Sequence, residues 1–247
     1  MAGFTSKTAI ACLLWLVLAA PALADVSGLL AEVLAAHGGG AAPTAIHERG
    51  VTESLRRGNG AVERWWQAPD SFRIEIRYPG EAESRLLRGN EAWQQGQPAP
   101  AAFHGALVLQ AARMALPWRL QENARRVIDL GAGKSNEGKP VRVLEWTVRE
   151  GIKLIVDVDA ESRLILRSRG ILTINNASME FATGYEDYRT VAGRRVAMTE
   201  RHFAMGEYTG TTRLDSVEFP AVLPAPTFDP ATGGGGLRVQ QSSKPRG

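Results

Sequence analysis

Four histidines, His37, His47, His104 and His202, are the side chains best suited to bind a metal or carry a proton. They are scattered, and none falls at the spacing that lets two imidazoles share a zinc ion. The one cysteine, Cys12, lies in an apolar leader, so the rest of the chain offers no thiolate and no disulfide. Gly133-Lys134-Ser135 resembles the end of a phosphate-binding loop, but Ile128 stands where its first glycine is required. No strand-to-helix pattern follows, and a hairpin turn fits better. There is no Gly-x-Ser-x-Gly elbow for an activated serine. Glu75, Glu145 and Asp157 fall on strand-like segments with no partner for acid–base work, and each reads as part of a solvated face. Asn176-Ala177-Ser178 matches a glycosylation sequon, but Asn175-Asn176 reads more simply as a turn. The pattern thus predicts a protein that is not an enzyme, with no cofactor and no metal.

The remaining chemistry is apolar. Trp65, Trp66, Phe72, Ile74, Ile76, Leu86 and Trp93 recur through the first β-rich stretch, and Leu107, Leu109, Met114 and Trp118 through a helical one. Each could be plain core. As a set they could line a hollow, with Met and Trp giving adaptable contact.

Elements must bring these groups together. The chain has 247 residues, 44% hydrophobic and 22% charged, with a net charge of +3. That is ordinary globular composition and no footprint for nucleic acid. Only Lys7, Lys134, Lys139, Lys153 and Lys244 are lysine among 29 basic residues, and no long run of like charge occurs.

Residues 1–24 read as a cleavable secretory signal. Lys7 supplies the positive end, Thr8 to Leu18 the apolar run, and Pro21-Ala22-Leu23-Ala24 the small residues before the cut. The run is short for a membrane span. Most of it follows Cys12, which argues against acylation there. Export to the periplasm is expected, a single domain over 25–230, and a disordered tail over 231–247 beginning near four consecutive glycines.

Val26, Leu29, Leu30, Val33 and Leu34 have helical spacing, Asp25 can cap the start, and Gly38-Gly39-Gly40 ends the helix. Period two then takes over. Along Phe72 to Tyr78 the apolar residues alternate with Arg73, Glu75 and Arg77, which predicts a strand with one wet face. An earlier strand spans Ala61–Trp66, the chain returns over Ser84–Arg88, and a short strand runs through Trp93. Ala101 to Leu116 reads as a buried helix, apolar nearly all round, with Pro117 ending it or starting a new turn. Seven more strands follow: Arg126–Leu130, Val141–Val148, Lys153–Val158, Leu164–Ile174, Met179–Asp187, Arg195–His202 and Tyr208–Phe219. The expected fold is mainly β (α+β): an incomplete antiparallel barrel of about ten or eleven strands wrapped over helices, since so long a sheet curls.

Several stretches carry a family resemblance. They are Trp66-Gln67-Ala68-Pro69-Asp70-Ser71-Phe72-Arg73-Ile74, Leu87-Arg88-Gly89-Asn90-Glu91-Ala92-Trp93 and Val158-Asp159-Ala160-Glu161-Ser162-Arg163-Leu164-Ile165. Tyr185 to Arg189 and Asp215 to Phe219, with Pro224 and Phe228, complete the set. In order and spacing these resemble the LolA-like superfamily. The resemblance implies a half-barrel with a hydrophobic cavity for acyl chains. It also implies a non-enzymatic carrier or binding protein for lipid or lipoprotein in outer-membrane biogenesis. The alternative within that superfamily is a periplasmic sensor or regulatory module that binds an inner- or outer-membrane partner protein. A monomer is expected. One departure stands out: the lipoprotein carriers place before the proline an arginine that holds their helical lid, and here that position is Ala68. Such a latch is absent or supplied from elsewhere.

Overall fold

The computed structural model describes residues 26–232. The leader expected over residues 1–24 with Cys12, the capping Asp25, and the glycine-rich tail from 233 lie outside the described residues. Helix α1 (Val26–Ala36) buries Leu30 and Val33 completely, as the helical spacing requires. Gly38, Gly39 and Gly40 all adopt positive φ and reverse the chain. Gly38 has a second reason to be glycine, because a Cβ there would lie 2.2 Å from the Gly193 carbonyl oxygen.

Thirteen strands form one antiparallel sheet. The first six are β1 (Ala45–Ser54), β2 (Gly58–Gln67), β3 (Ser71–Tyr78), β4 (Glu81–Arg88), β5 (Glu91–Gln94) and β6 (Gln97–Pro98). After two helices come β7 (Val127–Lys134), β8 (Pro140–Arg149), β9 (Ile152–Asp159), β10 (Ile165–Ile174), β11 (Ala177–Val191), β12 (Arg194–Ala204) and β13 (Glu207–Glu218). Two strands exceed the expected number. The two-residue β6 is too short to leave a pattern. In β1 the inward residues after Ile46 are Glu48, Gly50 and Thr52, so no apolar alternation marks it. Neighbours run β6-β5-β4-β3-β2-β1-β13-β12-β11-β10-β9-β8-β7. The first and last full-length strands therefore pair with each other in the middle of the sheet, and β6 and β7 are its free edges.

The sheet curls strongly. β2 and β12 are three strands apart, about 14 Å along a flat sheet at normal spacing. Yet Arg64 Nη1 of β2 donates to Glu200 Oε2 of β12 at 2.7 Å across the hollow. Helix α2 (Ala101–Arg113) lies within the curl, packed on β4 and β5 to one side and on β9 and β10 to the other. The expected single helix to Leu116 is broken. Ala115 adopts a left-handed conformation, and a short α3 (Leu116–Glu122) restarts with Pro117 in its first turn, where a missing N–H costs nothing. α3 packs on α1 and closes one end. Trp118 Nε1 there donates to the Gly40 carbonyl at 3.3 Å.

The expected wet face of β3 needs correction. Arg73 is buried, because short 3-10 turns at Ala225–Phe228 and Pro230–Thr232 fold over it. Its Nη1 donates to the carbonyls of Thr227 and Asp229 and to the Thr232 hydroxyl, and Nη2 meets Glu75 at 2.7 Å. Asp157 is not solvated either: it is buried on β9, and burial pushes its carboxyl above the usual range despite Arg169 at 3.8 Å. Glu145, by contrast, pairs with Lys153 at 2.7 Å near the surface.

Candidate ligand-binding cavity

Strand register decides which side chains reach the hollow. Ile46–Trp66–Phe72, Glu48–Arg64–Ile74 and Gly50–Val62–Ile76 stand side by side on the inner face of β1, β2 and β3. Thr52–Thr212–Glu200–Tyr185 does the same across β1, β13, β12 and β11. Between these walls and the helices lies a cavity of about 480 Å³, within the size range of small-ligand sites. One wall is apolar, made by Ile46, Val62, Phe72, Ile74, Ile76 and by Leu109 of α2.

Glu48 and Arg64 interrupt that wall on β1 and β2, and from them a polar band runs to Glu200 on β12. Arg64 Nε lies 2.8 Å from Glu48 Oε2, and Nη1 reaches Glu200. Burial opposes the charge on Arg64, but the two carboxylates outweigh it and hold the guanidinium ionised. The two acids differ. Burial drives Glu48 up despite Arg64, while Arg64, His202 and Arg113 together overcome burial and pull Glu200 down. His202 Nε2 lies 2.9 Å from Thr212 Oγ1, which lies 3.2 Å from Thr52 Oγ1. Burial lowers the His202 pKa to about 4, so it is neutral near pH 7. Arg113 donates from Nε to Ser168 Oγ at 2.9 Å and from Nη2 to the Phe181 carbonyl at 2.6 Å. Ser168 in turn bonds the Tyr185 hydroxyl at 2.9 Å. Desolvation lifts Tyr185 to about 12 and keeps it neutral. The hollow is therefore amphipathic, with a polar band running across a greasy wall.

The residues singled out from sequence divide into four groups. Phe72, Ile74, Ile76, Leu109, Met114 and Trp118 line this cavity. Trp66 and Trp118 line a second one of about 690 Å³ on the other side of α2 and α3, where Leu87, Val108 and Trp146 join them. Leu107 is buried in the core and lines neither. Trp65, Leu86 and Trp93 are corrections. They sit one residue out of step with the inner face, and period two places them on the outer face. There Trp65 stacks on His47 at 5.3 Å, and Leu86 pairs with Trp93, over which Arg88 lies at 5.2 Å. The polar band was missed because each member reads, alone, as the hydrophilic half of a strand.

Beside the second cavity, the turn that holds Ala68 is bonded from a helix. Arg119 of α3 reaches back to the β2–β3 turn, where the Ala68–Pro69 peptide is cis. Its Nη1 donates to the Pro69 carbonyl at 2.6 Å, and Nη2 meets Asp70 at 3.4 Å. The guanidinium lies 5.9 Å from the Trp66 ring centre and 5.6 Å from that of Trp146. The arginine is on the helix and the acceptors are on the strand turn.

Of the histidines, His47 bonds Glu63 at 2.7 Å on the outer face, and His37 Nδ1 caps α1 against the Val33 carbonyl at 2.8 Å. Among the described residues no three histidine, cysteine or acidic side chains cluster as metal ligands, and no helix is long and apolar enough to cross a membrane.

No protein-family model matches the chain, and no curated protein matches it. Solved structures do. A LolA superfamily protein from Nitrosomonas europaea is similar at a TM-score of 0.55 and 11% identity, over 83% of this chain and 97% of that one. A DUF1329 family protein from Desulfovibrio piger is similar at 0.50 and 10% identity, over 86% of this chain and 99% of that one. At such identities the likeness is one of architecture. An unclosed antiparallel sheet curled over helices, matched along almost the whole of both chains, gives this protein the LolA-like fold.

Proposed function

We propose that this protein is a non-catalytic periplasmic carrier or binding protein for an amphiphile with a long apolar chain. The observation that carries the reading is the 480 Å³ cavity on the concave face, with Ile46, Val62, Phe72, Ile74, Ile76 and Leu109 along one wall. An acyl chain exposed to water costs about 0.8 kcal/mol per CH₂, so a 16-carbon tail costs roughly 12 kcal/mol. A protein that covers such a tail must offer apolar wall yet release it. A short helical lid held by a few bonds of Arg119 suits that need. The leader expected over residues 1–24 supports the compartment.

The test is native mass spectrometry of protein purified from a membrane-containing lysate, with organic extraction of the same sample. Co-purifying amphiphile, and displacement of a neutral lipophilic dye from the cavity, are expected. Protein that stays free of lipid in both measurements and takes up no dye would refute the reading.

A further inference from the structure

A hollow built only for hydrocarbon would have no cation facing it. This one has Arg113, on the last turn of α2, among the residues that line the apolar wall's cavity. Its Nε and Nη2 are held by neutral acceptors, the Ser168 hydroxyl and the Phe181 carbonyl. No carboxylate of the described residues lies within ion-pair distance, whereas Arg64 in the same cavity has two. A charge taken from water is normally paired, because desolvation alone costs several kcal/mol. Glu200, the acid whose field reaches Arg113, is already bonded to Arg64. The site is also built to hold the group in place. On β10, Gly170 passes beneath it, and a Cβ there would stand 3.0 Å from Nη2 and 2.9 Å from the Leu109 side chain. Leu109 lies one helical turn before Arg113, so apolar wall and cation sit side by side on the same helix.

We propose that Arg113 is an anion receptor inside the cavity: it binds the carboxylate or phosphate head of an amphiphile whose tail lies along Phe72, Ile74 and Ile76. Nη1 bonds neither Ser168 nor Phe181 and is the nitrogen offered to the ligand, with the Tyr185 hydroxyl also within hydrogen-bond reach of the guanidinium. This rests on the carrier reading above and narrows it to an anionic ligand inserted head first. The neighbouring titratable groups are compatible. Tyr185, Tyr188 and His202 are held neutral by burial, so none of them competes with an anionic ligand for Arg113. Arg85 and Arg195 also line the cavity, but Arg85 is matched by Glu83, as Arg64 is by its own acids, and Arg195 is exposed to solvent.

The experiment displaces a neutral lipophilic dye from the full chain with three ligands of equal tail: hexadecanoate, hexadecyl phosphate and hexadecanol. A charge-assisted pair should make at least one anion bind about tenfold or more tighter than the alcohol. The preferred head separates a fatty-acid ligand from a phosphate-bearing lipid. In Arg113→Met the preference should vanish while the hexadecanol affinity changes less than about twofold, and Arg113→Lys should retain part of it. Equal binding of all three ligands by the unmodified protein would overturn the inference and leave the carrier reading standing. A parallel loss of alcohol and anion binding in Arg113→Met would assign Arg113 a purely structural role. Failure of all three to displace dye would overturn both readings.

Discussion

At the scale of single residues, the ion cluster inside the barrel governs stability. Arg64 neutralises Glu48 and Glu200 at once. Arg64→Met should cost about 3–5 kcal/mol, since it strands two buried acids. Replacing all three with apolar residues of similar volume should restore most of that loss, because the desolvation penalty disappears with the charges. Urea denaturation of the single and triple variants checks this, and a triple variant weaker than the single would contradict it. His37 supplies a pH dependence. Burial lowers its pKa from 6.5 to about 4 in the folded chain. Between these values the unfolded chain binds the extra proton, so stability is full above pH 6.5 and falls as pH drops toward 4. The span corresponds to about 3 kcal/mol. His37→Phe should flatten part of that slope in denaturant midpoints measured from pH 7 to pH 4. None of this was legible in sequence. Glu48 and Arg64 alternate with other polar side chains on β1 and β2, and only the curl shows that they look inward.

Among the elements, α3 is the one that depends on its neighbours to stay helical. Seven residues are too few for a helix to persist by itself, and packing on α1 plus the reach of Arg119 hold it. Arg119→Met should increase hydrogen exchange across residues 116–122 while the strands stay protected, and should speed dye release. Unchanged exchange there would show that packing alone holds the helix. The break before α3 was half visible. Pro117 marks a boundary, but the left-handed Ala115 that turns the chain carries no residue signature. Most strands of the second half were read to within two residues, because they alternate cleanly between turn signals, while β7 and β11 run four residues further than expected. β1 was not, since its inward positions after Ile46 are polar or glycine. The same fact explains the misplaced Trp65, Leu86 and Trp93. A two-residue period fixes which residues share a face but not which face is concave, and adjacent tryptophans at 65 and 66 must point opposite ways.

For the whole molecule, an unclosed sheet leaves two edges that could recruit other chains. Both are blunted. β6 is two residues long and ends in Pro98, and β7 is bulged near Gly131 and ends in Lys134. Ile128 and Leu130 are nonetheless about half exposed on β7. The protein should therefore sediment as a monomer at micromolar concentration, and a dimer lost in Ile128→Lys would show that the blunting is insufficient. The half-barrel was anticipated from strand number and the two helical segments. Its amphipathic interior was not, because a hollow is a property of the spaces between elements.

The pairing of β1 with β13 has a further consequence for biosynthesis. His47 and Glu218 are register partners at opposite ends of the described chain. A ribosome or translocation channel delivers the first six strands long before their seam exists, so the nascent half must wait with one flank open until the final strand emerges. Closure then joins two preassembled leaves along a single line, a late and long-range step that is slow for entropic reasons. During that interval the chain is most exposed to aggregation, and an escorting chaperone would act on it there.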